Sequence, residues 1–190
     1  MNIQDFEEKK VVSELIYDGK IVHLFRDTVR LPNGKEAFRE IIRHNGAVCV
    51  VPLTQEEDVI CVWQYRYVHH KMLLEIPAGK LESKSENREE AALRELREET
   101  GAHCERLTCL GDFLSSAAVI DEVITMYLAE GLTFGATDFD EDENLVSEKI
   151  PLKTLVQKIL RGEVTDSKTQ AAVLKVWLIK HPGEDPFAPA

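Results

Sequence analysis

The chain has 190 residues, of which 44% are hydrophobic, so it can bury a sizeable core and is most simply one domain spanning 1–190. Its formal net charge of −11 argues against nucleic acid or an anionic membrane as a partner, because both attract Lys and Arg. An anionic ligand would need local cations or a metal ion. With no apolar run of about 18 residues and no basic-then-apolar start, the sequence predicts a cytoplasmic protein.

The N-terminal part of the chain predicts an arm followed by two strands. Residues 1–16 have no clear helix or strand pattern and are expected to form an arm. Residues 21–31 alternate enough in hydrophobicity to form a strand. The PNGK sequence at 32–35 is a strong hairpin signal, because Asn-Gly adopts the tight turn that joins antiparallel strands. The hairpin returns the chain through a second strand at 36–43.

Two apolar, β-branched runs follow at 46–52 and 59–65. A polar turn joins them, so they predict a buried hairpin with Trp63 in the core. Cys49 and Cys61 lie in these runs, and the four cysteines include no CxxC pair. We therefore expect buried free thiols in place of zinc ligands or disulfides.

An acidic helix is expected next along the chain. The SKSE sequence has the form of a capping box, which predicts a helix that begins near Ser83 or Ser85. The helix should run through Ala91 and Leu96 and end at Gly101, because glycine adopts the left-handed conformation that terminates helices.

The C-terminal part of the chain predicts strands followed by helices. Residues 107–114 and 123–129 are strand candidates, and 145–151 is strand-like. Residues 152–161 and 167–180 have the pattern of amphipathic helices. This order of elements favours an α/β sandwich in which a mixed sheet lies between helices.

Four carboxylates are expected to converge at this helix: Glu75, which precedes it in the chain, and Glu95, Glu98 and Glu99 on the helix itself. At 3.6 residues per turn, Glu95 and Glu99 stack on one face, with Glu98 beside them. Like charges four residues apart cost about 0.2–0.5 kcal/mol per pair, so an exposed acidic face of this kind favours a bound cation. Carboxylate and water oxygens suit Mg²⁺ or Mn²⁺. Taken alone, the cluster is more typical of a solvated helix face, since Glu90 and Arg94 also form ordinary i,i+4 pairs.

The residues that flank the cluster reverse this balance. The stretch that begins at Gly79 resembles the signature of the Nudix hydrolases, Gly-x5-Glu-x7-Arg-Glu-U-x-Glu-Glu-x-Gly-U, where U is aliphatic. The matching residues are Gly79, Glu86, Arg94, Glu95, Leu96, Glu98, Glu99, Gly101 and Ala102. Six residues instead of five separate Gly79 from Glu86, which places an insertion in a loop, where added length costs little. The resemblance implies the Nudix fold, an α/β/α sandwich with a mixed sheet.

Outside the signature, the resemblance covers nearly the whole chain and points to the branch that cleaves ADP-ribose and other nucleoside diphosphate sugars. It is carried by the EIPAG run at 75–79, the acidic loop at 140–143 and the GEVTDSKT tail at 162–169. The resemblance implies a Mg²⁺ cofactor, with Mn²⁺ as a substitute. In that branch the metal ligands match Glu95, Glu98, Glu99 and the backbone carbonyl of Ala78.

The attacking water needs a general base, and the signature glutamates are expected to be occupied by metal ions. The loop at 138–144 is the other dense source of carboxylates, although an isolated acidic stretch is more often a solvated turn. The resemblance matches Glu141 to the base and Glu143 to a further catalytic and metal-binding position. If neither acts as the base, Glu98 is the remaining candidate.

Four residues are expected to bind substrate. A lone Arg66 at a strand end would usually form a surface ion pair, but its planar fork suits phosphate, and it aligns with an arginine that contacts the diphosphate. Arg39 and Glu75 align less specifically with residues that hold the substrate. Ser116 opens a loop in which ADP-ribose-specific members show Ser-Pro-Gly, whereas this chain has Ser-Ala-Ala.

The expected reaction is Mg-dependent hydrolysis of the diphosphate bond of a nucleoside diphosphate sugar, such as ADP-ribose, ADP-glucose or GDP-mannose. The products would be a nucleoside monophosphate and a sugar phosphate. Two alternatives stay open: a Nudix-like regulator that binds nucleotide without hydrolysing it, and a hydrolase of dinucleoside polyphosphates. Enzymes of this branch are usually homodimers, so we expect residues 1–45 to lie at a dimer interface.

Overall fold

The structure is a computed structural model that describes residues 2–135 and 145–188. The acidic loop predicted at 138–144 lies outside the described residues, and with it the predicted site residues Glu141 and Glu143. In the described part of the chain, no helix is long and apolar enough to cross a membrane.

The chain divides into two compact units. The first comprises Met1–Asn45 and Leu114–Glu122, and the second comprises Gly46–Phe113 and Val123–Ala190. Each unit therefore consists of two separate stretches of the sequence. The expectation of a single domain spanning the whole chain stays a prediction, because a compact unit does not by itself show independent folding.

The first unit contains a three-stranded antiparallel sheet of β1 (Lys9–Asp18), β2 (His23–Arg30) and β3 (Glu36–Arg43). The predicted hairpin is confirmed, with Gly34 at a φ of 83° in the turn between β2 and β3. The predicted arm at 1–16 is wrong for its second half, which forms most of β1. Every residue of β1 is exposed, so its sequence carries no burial pattern, and antiparallel pairing with β2 along its full length orders it.

Two sheets make up the second unit. Their strands in the described residues are β4 (Ala47–Pro52), β5 (Asp58–Arg66), β6 (Lys71–Glu75), β7 (Ala78–Lys80), β8 (Ala102–Leu114), β9 (Val123–Phe134) and β10 (Leu145–Pro151). In the sheet of order β7-β4-β9-β8, β4 runs parallel to β9 and antiparallel to β7, which confirms the predicted mixed sheet. The second sheet has the antiparallel order β10-β5-β6.

The buried hairpin predicted from 46–52 and 59–65 is wrong, because β4 and β5 belong to different sheets. Only their connection resembles a hairpin, where the Thr54 amide donates to the Asp58 carbonyl at 2.9 Å. A continuous apolar strand can be buried on both faces, and its sequence does not reveal which strand will pair with it.

Helices cover both faces of the mixed sheet. Those of the described chain are α1 (Arg88–Thr100), α2 (Leu152–Leu160) and α3 (Ser167–Lys180). Successive residues of β4 point to opposite faces of the sheet. Cys49 and Val51 join the apolar cluster that includes α2 and α3, whereas Val48 and Val50 join the cluster that includes α1. The predicted α/β/α sandwich is therefore confirmed for this unit.

The helix boundaries agree with the sequence except at the start of α1. The capping box predicted at Ser83 or Ser85 is wrong, because Asn87 caps the helix and accepts the amides of Glu89 and Glu90 at 2.9 and 3.3 Å. Both serines lie in the loop that precedes the helix. The predicted end is confirmed: Gly101 has a φ of 67°, and its amide donates to a carbonyl in the last turn.

Trp63 lies at the edge of the core, not inside it as predicted. Its ring is half-buried against the apolar cluster, while its indole N–H donates to Glu148 Oε2 at 2.6 Å. Tryptophan often takes such a position, because its N–H needs a partner when the ring is buried.

The cysteines test the packing of β4 and β5 directly. Burial raises the pKa of the Cys49 and Cys61 thiols to about 12, and neither side chain is accessible to solvent. Because the thiolate is the nucleophile, iodoacetamide at pH 8 should alkylate the exposed Cys109 at least about 100-fold faster than either buried thiol. Peptide mass spectrometry gives the three rates. Similar rates at Cys49 and Cys109 would contradict this packing.

Candidate active site

The segment Glu75–Gly79 joins β6 to β7 and forms the centre of the candidate site. One side chain from each of two helices accepts a hydrogen bond from a backbone amide of this segment. The Ile76 amide donates to Thr169 Oγ1 of α3 at 2.9 Å, and the Ala78 amide donates to Glu99 Oε2 of α1 at 3.3 Å. Side chains from α1 and α3 therefore converge on one short stretch of backbone.

The acidic side of α1 faces this segment. Glu95 and Glu99 are only 7% and 3% exposed, so the prediction of an exposed acidic face is wrong for these two residues. Arg94 Nη1 donates to Glu95 Oε1 at 2.8 Å and to Glu98 Oε2 at 3.1 Å, which fixes the direction of both carboxylates. Burial alone would lower the pKa of Arg94, but the two carboxylates raise it above its ordinary value.

Gly79 leaves the space that the Glu95 carboxylate occupies. A Cβ atom built at this glycine would overlap the Glu95 carboxylate, so any other residue would displace it. Glu95, Glu98 and Glu99 are oxygen donors of the kind that hard divalent cations take. In the described residues, however, no three His, Cys, Asp or Glu side chains converge to form a metal site. The donor chemistry fits, and the ligand geometry stays a prediction.

A second group of charges lies at the start of the same segment. Arg66 Nε and Nη2 donate to Glu75 Oε1 and Oε2, each at 2.7 Å, as a bidentate pair. Lys168 also donates to Glu75 Oε2 and reaches Asp166 Oδ1 at 3.0 Å. The negative charges of Glu75, Asp166 and Glu99 all raise the pKa of Arg66, so the two groups of charges belong to one electrostatic site.

Glu75 is ionised although its side chain is almost completely buried. Burial raises its pKa, but hydrogen bonds and charges from Arg66 and Lys168 outweigh burial and bring it below the ordinary 4.5. Burial likewise lowers the pKa of Lys168, and the charges of Asp166 and Glu75 raise it above 10.5. The stabilisation from Glu75 is lost as pH falls through its lowered pKa, and that from Lys168 as pH rises through its raised pKa. Between about pH 4.5 and 10.5 both contributions are complete.

The sequence analysis missed the residues of α3 that support Glu75. Asp166 caps the helix and accepts the amide and hydroxyl of Thr169 at 2.9 and 2.6 Å, while Thr169 holds the Ile76 amide. The DSKT sequence at 166–169 indicates the start of a helix, because Asp166 is a favourable N-cap residue. Nothing local in that sequence indicates that the helix start faces β6.

Arg39 and Ser116 belong to the first unit and have contacts within it. Arg39 Nε donates to Glu8 Oε2 at 2.9 Å. Ser116 is exposed, and its carbonyl accepts the amides of Val119 and Ile120, both at 3.0 Å. Their roles in substrate binding stay predictions.

The acidic loop is flanked by described residues that both contact the C-terminal end of α1. The Gly135 amide donates to the Gly101 carbonyl at 2.7 Å, and Ser147 Oγ donates to the Glu99 carbonyl at 3.4 Å. The described chain on either side of the loop is therefore anchored beside Glu99.

An α/β/α unit in which a glutamate-bearing helix packs against a glycine-containing strand is the arrangement expected from the resemblance to Nudix hydrolases, and comparison with known families agrees. The family model described as "NUDIX domain" matches residues 43–162, and the chain belongs to this family. Residues 8–42 match a second description, the nucleoside diphosphate sugar hydrolase N-terminal domain.

Similar proteins match most of the chain. The chain is 45% identical over 170 residues to a methanol dehydrogenase activator of Bacillus methanolicus, covering 88% of this chain and 91% of that protein. It is 40% identical to an ADP-ribose pyrophosphatase of Bacillus subtilis, covering 90% and 93%. It is 35% identical to an ADP-ribose pyrophosphatase of Mycobacterium tuberculosis, covering 90% and 83%.

A solved structure supports the fold independently. The crystal structure of an ADP compounds hydrolase superposes with a TM-score of 0.81 and covers 93% of this chain and 96% of its own. Its sequence identity to this chain is 22%, so the likeness extends to the fold alone.

Proposed function

We propose that the chain hydrolyses the diphosphate bond of nucleoside diphosphate sugars to a nucleoside monophosphate and a sugar phosphate. The observation that carries the proposal is the convergence of the α1 glutamates and Arg66 on one short backbone segment. The carboxylates are ligands for divalent cations, and the partly exposed arginine can bind phosphate oxygens. Both features fit a substrate whose reacting group is a diphosphate. The names of relatives at 40% and 35% identity, both ADP-ribose pyrophosphatases, support the same class of substrate.

Glu95, Glu98, Glu99 and the carbonyl of Ala78 would hold Mg²⁺, with Glu143 as a further ligand and Mn²⁺ as a substitute. The bound ion would neutralise the phosphate charge and lower the pKa of an attacking water. Arg94 orients the carboxylates of Glu95 and Glu98 through its hydrogen bonds to them. Arg66 offers N–H donors to the phosphate oxygens, and Glu75 sets the plane of its guanidinium.

Glu141 is proposed as the general base that takes the proton from the attacking water, and Glu143 as a second catalytic carboxylate beside it. The contacts of Gly135 and Ser147 with the end of α1 support this assignment, because they anchor the flanking chain beside Glu99. Glu98 is the alternative base. Its carboxylate is shared by Arg94 and Arg97, at 3.1 Å each, which makes it the less available of the candidates.

ADP-ribose is the first substrate to test, followed by ADP-glucose and GDP-mannose. Arg39 and Ser116 are proposed to add substrate contacts. A homodimer through residues 1–45 is proposed from the match of 8–42 to a dedicated N-terminal domain and from the exposed strand β1. A cytoplasmic location is proposed because all four cysteines are free thiols, as reducing compartments maintain them.

A second candidate function is regulation of a dehydrogenase. The relative at 45% identity is named a methanol dehydrogenase activator, and it matches this chain over most of its length. Adding the chain to purified methanol dehydrogenase of Bacillus methanolicus would test this candidate. Activation by wild type but not by Glu99→Gln would show that such regulation depends on hydrolysis.

A coupled assay over a panel of nucleotide sugars tests the main proposal. Alkaline phosphatase releases inorganic phosphate from the monoester products but not from an intact diphosphate diester, so phosphate appears only after cleavage. We expect release with ADP-ribose and Mg²⁺ and none after chelation. No release from any sugar nucleotide, with turnover of dinucleoside polyphosphates instead, would favour the other Nudix activity.

A further inference from the structure

We propose that Lys168 is a positioning residue that acts through Glu75 on Arg66, so that the Arg66 guanidinium stays available to a substrate diphosphate. The inference deepens the proposed function and rests on it, because it concerns the binding of that substrate. Lys168 belongs to the first turn of α3 and lies outside the metal-binding set proposed above.

Arg66 has donors to spare for an anion. A guanidinium carries five N–H donors, and the bidentate pair with Glu75 uses Nε and Nη2. Within the part of the chain that the structure describes, Nη1 makes no hydrogen bond. The Arg66 side chain is 40% exposed, so this edge of the guanidinium is accessible to a ligand.

Arg66 and Lys168 are the two cations that contact Glu75, and Lys168 is the more buried of them. Its side chain is 12% exposed, and its ammonium is held between Glu75 and Asp166. An ammonium in that position has little access to a ligand, so we infer that it acts on the substrate only through the residues it contacts. The N-cap contacts of Asp166 with Thr169 fix the helix turn from which Lys168 projects.

The balance of charge explains what Lys168 contributes. Arg66 and Lys168 supply two positive charges, and Glu75 and Asp166 supply two negative charges, so the group is neutral. Without Lys168 the group would carry one net negative charge beside the site for an anionic diphosphate. Glu75 is too buried for water to replace Lys168 as its partner. Arg66 alone would then balance the negative charge of Glu75.

Steady-state kinetics with ADP-ribose and Mg²⁺ test the inference in four variants. Lys168→Met should raise KM about tenfold and keep kcat within about threefold, because a unit charge near the diphosphate weakens binding but leaves the α1 carboxylates in place. Lys168→Gln, which can still donate a hydrogen bond, should show the same loss and replaces Met if that variant does not fold. Lys168→Arg should keep KM within about threefold of wild type.

Lys180→Met is the matched control. Lys180 lies at the other end of α3 and pairs with Glu130, so its loss removes a partly buried lysine without touching the Arg66 group. We expect its KM to match wild type.

Three kinds of result would overturn the inference. A fall in kcat at constant KM, or an equal defect in Lys168→Arg, would show that Lys168 serves the fold or the chemistry instead of the charge balance. Unchanged KM in Lys168→Met and Lys168→Gln, with normal wild-type turnover, would refute this inference alone. A wild-type chain that does not turn over ADP-ribose would refute the proposed function and the inference together.

Discussion

Replacing Glu99 by Gln is expected to abolish turnover of ADP-ribose while leaving the fold intact. Gln has nearly the same shape and can still accept the Ala78 amide, which lies 3.3 Å from Glu99 Oε2. The change removes one negative charge from the proposed metal site. It also relieves repulsion from Glu95 four residues away, so the metal-free variant should melt at or slightly above the wild-type temperature.

A second readout separates metal binding from catalysis. Mg²⁺ should raise the melting temperature of wild type, because a ligand that binds only the folded state stabilises it, and should raise that of Glu99→Gln less. Glu90→Gln is the control, since Glu90 is an exposed carboxylate on the same helix. Its rate should stay within about twofold of wild type. Wild-type rates in Glu99→Gln would show that the proposed metal ligand is wrong.

Replacing Glu141 or Glu143 by Gln is expected to lower kcat by about 10²–10⁴ and to leave KM largely unchanged. A bound metal ion would lower the pKa of the attacking water, so loss of the base should slow its deprotonation without preventing the reaction. Of the two, Glu141 should show the larger loss in kcat.

Asp140→Asn serves as the control for this loop, because it removes a neighbouring carboxylate to which no catalytic role is assigned. It should keep kcat within a few-fold of wild type. If Glu141→Gln, Glu143→Gln and the double variant all retain kcat within a few-fold, the acidic loop is a solvated turn. The base would then have to be Glu98 or one of its neighbours.

The sequence predicted the Asn-Gly turn and the C-terminal end of α1 correctly, whereas it predicted the N-cap of α1 and the pairing of distant strands wrongly. The Asn-Gly turn and the Gly101 helix end follow from backbone conformations that few residues adopt, so one or two residues identify them. β1 has no such signal, because all of its residues are exposed and its order comes from β2. β4 and β5 look like a hairpin because their sequences do not encode which sheet each joins.

The candidate site shows the same division. The spacing of Glu95, Glu98 and Glu99 on one helix predicts a shared face, because helical periodicity fixes it. That Glu95 and Glu99 would be buried depends on β7, which the helix sequence does not specify. The contact of Lys168 with Glu75 joins residues 93 positions apart, and no local pattern could have predicted it.

The central claim is that the chain cleaves within a diphosphate, and chromatography of the products tests it most directly. Wild-type protein incubated with ADP-ribose and Mg²⁺ should yield AMP and ribose 5-phosphate in equal amounts, and neither should form when the metal is chelated. Release of free ribose with ADP, or of pyrophosphate, would place the cleavage at a different bond and contradict the account.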